Sequence, residues 1–248
     1  MSVAIPRLRM FAGPNGSGKS TLKSHLPPVL LGVFLNPDEM EERTRVQGFL
    51  DFNEYGVQVA PEEVLRFFRS SALLTAEGLS EAAGKLAVAD GKLQFGAIEV
   101  NSYLASVAAD FLRQKLLAQR SSFTFETVMS HPSKIDVLAQ AQRASYRTYL
   151  YYVATDDPAI NISRVQNRVK LGGHPVPEDK IRQRYFRSLD LLVEAIKHTN
   201  RAYIFDNSGN NRDGKQTWLA EITDGSRLEL KTNQVPAWFK SALLDKIQ

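Results

Sequence analysis

Short apolar runs alternate with amphipathic stretches along most of this chain. Residues 3–11 read as a strand whose pairing begins after Pro6, since proline has no N–H to give a ladder. Residues 21–26 read as a helix stopped by Pro27 and Pro28. Residues 32–35 form a second strand. Asn36 as cap, Pro37 at the first helical position and Glu39 three residues after the cap then start a helix. Residues 99–119 carry Leu104, Val107, Ala108, Phe111 and Leu112 on one helical face. Further strands at 122–126, 148–153 and 201–206 alternate with helices at 133–144, 157–169 and 178–197. The last helix has a core stripe of Ile181, Tyr185, Leu189, Leu192 and Ile196. This order predicts an α/β fold: a parallel sheet of about five strands wrapped by helices, with ligand loops at the strands' C-terminal ends.

Two regions break the alternation. Residues 50–100 read as helical pieces interrupted by Gly56, Gly78, Gly84, Gly91 and Gly96, and are expected to be a helical insertion. Residues 210–248 form a C-terminal extension with a strand near Leu228-Glu229-Leu230 and a helix after Pro236. Trp218 and Trp238 are expected to pack on the core. Residues 1–248 are taken as a single domain.

Between the first strand and the first helix lies AGPNGSGKST, residues 12–21, which satisfies Gly-x-x-x-x-Gly-Lys-[Ser/Thr] through Gly13, Gly18, Lys19 and Ser20. Glycines let the backbone fold back and aim several N–H groups at one anion, and the following helix adds its positive end. Gly16 adds backbone freedom and Pro14 stiffens the approach. Gly13, Pro14, Asn15, Gly16, Ser17, Gly18, Lys19, Ser20 and Thr21 are therefore expected to bind ATP. Lys19 would reach the β- and γ-phosphates, and Ser20 would ligate Mg²⁺. The architecture becomes a P-loop NTPase or kinase-like one.

Other candidates follow from their places at strand ends. Asp38 follows the second strand and can deprotonate an acceptor hydroxyl, or else complement a helix dipole as a first-turn acid. Glu126 and Thr127 end the third strand, where they can hold a Mg²⁺-bound water or substrate, or cap the next turn. Arg164 and Arg168 share a helix face before Gly172-Gly173, and Arg182, Arg184 and Arg187 follow the break. Arginines on both sides of a glycine hinge can close as a lid over a triphosphate, although a solvated basic hairpin has the same pattern. His131 and His174 read as loop residues rather than metal ligands. Asp206-Asn207-Ser208 ends the fifth strand with turn chemistry and a weaker claim on ligand.

Composition narrows the choice a little. The net charge is +4 with dispersed basic residues, which makes a nucleic-acid partner weakly supported. There is no cysteine, which removes disulfides and fits the cytoplasm. No apolar run approaches the roughly 20 residues that span a bilayer, so no membrane partner is expected.

AGPNGSGKST, FLNPDE around Asp38, FTFETVMS around Glu126, RVQNRVKLGGHPVPEDKIRQRY and YIFDNS together resemble the zeta toxin family of P-loop kinases and its small chromosomal relatives. The resemblance covers residues 5–208. It implies ATP-dependent phosphorylation of a small-molecule acceptor, UDP-N-acetylglucosamine for the toxins proper, and an antitoxin protein as partner. It further implies that Lys19 cradles the phosphates, Asp38 is the base, and Arg168 with Arg182 or Arg184 steadies the transfer. Residues 50–100 hold no motif that matches the family, so the acceptor stays open. A nucleotide-switched binding module and a polynucleotide-end kinase are the alternatives.

Overall fold

A computed structural model describes residues 5–173, 175–209 and 216–247. In chain order, strand β1 (Arg7–Ala12) leads through the glycine loop into α1 (Lys19–Ser24). Then come α2 (Pro28–Leu31), β2 (Val33–Leu35), α3 (Pro37–Gln47), β3 (Phe49–Asp51), α4 (Pro61–Arg69), α5 (Ala72–Ala76), α6 (Ser80–Gly84), β4 (Ala87–Ala89) and β5 (Lys92–Gln94). The long α7 (Ser102–Ala118) precedes β6 (Phe123–Thr127), α8 (Ser133–Arg143), β7 (Arg147–Ala154), α9 (Pro158–Lys170), α10 (Glu178–Asp190), α11 (Leu192–Lys197) and β8 (Arg201–Asp206). β9 (Thr217–Thr223), β10 (Arg227–Leu230) and α12 (Ala237–Ala242) close the chain.

The predicted mixed α/β fold is observed. The main sheet has seven strands in the order β10-β9-β8-β7-β1-β6-β2. β7 runs parallel to both β1 and β8, whereas β9 and β10 are antiparallel additions. All five predicted strands are present, and pairing in β1 does begin after Pro6. β9 escaped sequence reading because Thr217–Thr223 is neither uniformly apolar nor strictly alternating, yet it buries Leu219, Ala220 and Ile222.

By internal contacts the chain divides into two units, Met1–Leu31 with Thr124–Gln248, and Gly32–Phe123. The first has its core between β-sheet and helices, where Leu8, Met10, Phe11, Leu150 and Tyr152 are fully buried. Its 178–197 helix is interrupted at Leu191, but Leu191 N–H still donates to Arg187 O (3.2 Å) and Leu191 O accepts from Ala195 N–H (3.0 Å). The core stripe therefore stays buried across α10 and α11. Trp238 is 3% exposed, as expected of a core residue, but Trp218 is 40% exposed and rests on Tyr203 and Phe205 at the sheet surface.

The second unit corrects the reading of residues 50–100. Its helices α4, α5 and α6 are there, but β3, β5 and β4 form a separate antiparallel sheet. Strands of three residues give too short an alternation to stand out in the sequence. The predicted face of α7 is fully borne out, with Leu104, Val107, Ala108, Phe111 and Leu112 all buried. Asn101 caps that helix by accepting from Tyr103 and Leu104 N–H.

Candidate active site

β1, β7 and β8 are parallel and in register, Ala12 opposite Tyr152 and Ala154 opposite Asp206. Their C-terminal ends therefore share one edge, which gathers the glycine loop, Thr155-Asp156-Asp157 and Asp206-Asn207-Ser208. The opposite edge holds a cavity of about 360 Å³ lined by Ile5, Ser145, Tyr146, Arg147, Asn200 and Asp224, none of which belongs to the phosphate loop.

The loop is compact and half-buried. Ser17 N–H closes a turn on Pro14 O at 3.2 Å. Gly13 has φ +140°, and a Cβ there would collide with the carbonyl oxygen of Val153, so the loop lies directly against β7. Lys19 is only 8% exposed, and its ammonium donates to Gly13 O (2.9 Å) and Pro14 O (3.0 Å). The charge is thus folded into the loop it would serve. α1 is only six residues long.

The loop's carbonyls are held from outside by side-chain amides that sequence reasoning gave no role there. Asn161 on α9 donates to Asn15 O at 2.6 Å, Asn207 after β8 donates to Ser17 O at 2.7 Å, and Gln216 before β9 donates to Gly18 O at 2.7 Å. Asn161 is fully buried and its own carbonyl accepts from the Thr155 hydroxyl. Nothing in their local sequence marks them, because they lie 146, 190 and 198 positions from their partners.

Ser20 and Glu126 do come together, with the Ser20 hydroxyl 3.5 Å from a carboxylate oxygen of Glu126. Thr127 instead accepts from Met129 N–H at 3.1 Å, which is the turn-capping alternative. Thr21 is exposed, and its carbonyl accepts from the Ser24 hydroxyl. Asp38, in the second unit, is exposed at the start of α3, where its N–H donates to the Asn36 side chain at 3.0 Å. The cap works as predicted, and Asn36 also donates to the Glu39 carboxylate at 3.3 Å. His131 is exposed, and its Nδ1 accepts from Ser133 N–H at 3.2 Å in the loop that leads into α8.

The arginine hairpin is built differently. α9 and α10 pack through Ile162, Val165 and Ile181 with Val176 from the connection, and Gln166 donates to Glu178 across them at 2.6 Å. Arg164 is half-buried, and among the described residues its Nη1 has no hydrogen-bond partner. Burial lowers the pKa of its guanidinium, partly offset by Asp206. Arg168 and Arg182 are exposed, and Arg184 is half-buried. Gly173 sits over Arg168, where a Cβ would lie 2.7 Å from Arg168 Cγ. His174 lies outside the described residues.

Asp206 organises the end of β8. It accepts from Ser208 N–H (3.0 Å), from the Ser208 hydroxyl (2.5 Å) and from the Trp238 indole N–H (2.8 Å). The Ser208 hydroxyl in turn accepts from Asp156 N–H at 2.8 Å, and Asp156 accepts from Trp238 N–H at 3.1 Å. The tail therefore reaches the strand-end cluster. Tyr185 donates to Thr155 O at 2.6 Å, and burial first, then nearby carboxylates, keeps its hydroxyl neutral.

A glycine loop at the end of a central parallel strand, with its lysine folded inward and its serine facing a carboxylate, gives this chain a P-loop kinase-like fold. The zeta toxin family model matches residues 97–216, a little under half of the chain. The matched segment includes Glu126, the arginine hairpin and Gln216; the phosphate loop and Asp38 precede it. A Haemophilus influenzae protein described as uncharacterized is 26% identical over 175 residues, or 71% of this chain and 89% of that one. The solved structure of AvrRxo1-ORF1:-ORF2 with ATP has a TM-score of 0.55 at 15% identity over 98% of this chain. This chain spans 64% of the matched chain, less than two thirds of its length. The PezAT toxin-antitoxin structure from Streptococcus pneumoniae has a TM-score of 0.47 at 14% identity, covering 99% of this chain and 85% of that one.

Proposed function

We propose that this chain is an ATP- and Mg²⁺-dependent kinase of the zeta-toxin type that works as one kinase domain. It moves the γ-phosphate of ATP onto a hydroxyl of a small nucleotide-linked molecule, with UDP-N-acetylglucosamine as the candidate suggested by the family resemblance. The observation that carries the reading is the phosphate loop, whose carbonyls are tied down by Asn161, Asn207 and Gln216 and whose lysine is folded against it.

In this reading the N–H groups of Gly13 to Thr21 hold the phosphates and Lys19 spreads charge over the β- and γ-groups. The Ser20 hydroxyl and the Glu126 carboxylate, 3.5 Å apart, are hard oxygen donors of the kind Mg²⁺ takes. Among the described residues no cluster of three or more His, Cys, Asp or Glu could hold a metal, which suits an ion bound mainly by phosphate and water. Bound there, Mg²⁺ would neutralise phosphate charge. Asp38 takes the proton of the acceptor hydroxyl as its oxygen bonds to the γ-phosphorus, while the bond to the β-phosphate oxygen breaks and ADP leaves. Arg168, Arg182 and Arg184 steady the moving phosphoryl charge, and Glu126 and Arg164 face the acceptor. An antitoxin protein as partner and a cytoplasmic site of action belong to the same proposal. Among the described residues no helix is long and apolar enough to cross a membrane.

The test is incubation of a metabolite extract with protein, ATP and Mg²⁺, followed by mass spectrometry for a species heavier by one phosphate. Asp38→Ala is expected to lower that product's formation by about 10²–10⁴-fold while ATP binding persists. Label from γ-labelled ATP that appears only in free phosphate points to a switch module instead. Steeply salt-dependent oligonucleotide binding points to an end kinase.

A further inference from the structure

We propose that Asn161, Asn207 and Gln216 are positioning residues that set the phosphate loop in its anion-binding form before any ligand arrives. The proposal rests on the nucleotide reading above and adds the groups that hold the loop. A trans peptide is planar, so its C=O and the next residue's N–H point in opposite directions. Fixing the carbonyls of Asn15, Ser17 and Gly18 on the outside of the loop therefore turns the N–H groups of Gly16, Gly18 and Lys19 to the inside. Those N–H groups are what a polyphosphate needs.

A second observation supports the arrangement independently. Gly18 has φ +99°, and a Cβ there would overlap the Asn207 amide nitrogen and stand 2.8 Å from that of Gln216. Glycine is thus required at position 18 partly because two carboxamides occupy the space a side chain would take. A Cβ on Gly16 would likewise stand 2.7 Å from the backbone oxygen of Asn161.

Two of the carboxamides are themselves aimed, whereas Gln216 Oε1 is buried with no hydrogen-bond partner among the described residues. Asn161 is fixed by the Thr155 hydroxyl and Asn207 stands between Asp206 and Ser208, which bond each other, Trp238 and Asp156. Gln216 belongs to the C-terminal extension. The tail is therefore part of the nucleotide machinery, directly through Gln216 and indirectly through Trp238. An amide suits this work because it donates to a carbonyl while adding no charge beside the phosphates.

Gln216→Met and Asn207→Leu keep size and neutrality but remove the donor. Isothermal titration with ATP and with adenosine, and the nucleotide-free melting temperature, are read for wild type and each variant. ATP affinity is expected to fall about tenfold per variant, with adenosine affinity unchanged and the melting temperature lowered only slightly, as the loss of one hydrogen bond requires. Unchanged ATP affinity in both variants overturns the proposal. A parallel loss for ATP and adenosine with a lower melting temperature also overturns it, because the residues would then be structural only. If the wild-type protein itself fails to bind ATP, the nucleotide reading falls and this inference falls with it.

Discussion

The phosphate loop and the arginine hairpin sit in the same unit and would serve the same phosphates, yet they are stabilised in opposite ways. In the loop, the lysine and three carbonyls are bonded: Lys19 bonds Gly13 and Pro14, and the carbonyls of Asn15, Ser17 and Gly18 have carboxamide partners, while Asn15 Oδ1 and Ser17 Oγ are buried with no hydrogen-bond partner among the described residues. In the hairpin the fixed part is the apolar seam of Ile162, Val165, Val176 and Ile181, while the charges are left half-buried or exposed. The difference matches the tasks. A cradle works best when its donors need no rearrangement, whereas arginines on a lid would be brought to the phosphoryl group by closure. In Arg164 a buried Nη1 has no hydrogen-bond partner among the described residues, and burial lowers the guanidinium's pKa.

Substitutions that break this contrast should differ in size and kind. Lys19→Ala strikes the charge of the cradle, and phosphotransfer from γ-labelled ATP should fall by about 10²–10³-fold, the scale of one lost preorganised electrostatic contact. Gly18→Ala should come next. It forces an L side chain to φ +99° and pushes on Asn207 and Gln216. A strain of about 1–3 kcal/mol should appear as a lower melting temperature together with weaker ATP binding in calorimetry.

Arg164→Met sharpens the comparison because stability and turnover should move in opposite directions. Removing a partly buried, incompletely bonded cation should raise the nucleotide-free melting temperature, while turnover drops by about 10²-fold. A lowered melting temperature with normal turnover would make Arg164 a structural residue. Trp238→Phe should have the smallest effect. It keeps the ring in the core but deletes the hydrogen bond to Asp206, so denaturant titration should show a loss of about 1–2 kcal/mol.

The cradle was far more legible in sequence than its supports. Gly13, Gly18, Lys19 and Ser20 announce themselves because one anion imposes its needs on adjacent residues. Asn36, Pro37 and Glu39 were legible for a similar reason, since a helix cap is a local hydrogen-bond problem. The arginines could be listed, but whether each is buried or solvated could not. The pairing of Ser20 with Glu126 was expected only as far as strand ends converge, and Thr127 turned out to cap a turn. The small sheet β3-β5-β4 went unseen because three-residue strands leave almost no periodic signal.

What the sequence determined by itself is therefore the local chemistry: a glycine-rich loop between strand and helix, strands and helices in alternation, and the Asn36 cap that starts α3. Such features are set by residues within a turn or two of one another, where backbone geometry and propensity act directly. What only the tertiary structure decided is which distant groups complete the site. Asn161, Asn207, Gln216 and Trp238 gain their roles from parallel strand ends and a returning tail that bring them to one edge. A carboxamide has the same composition wherever it stands, and only the fold gives it a carbonyl to hold.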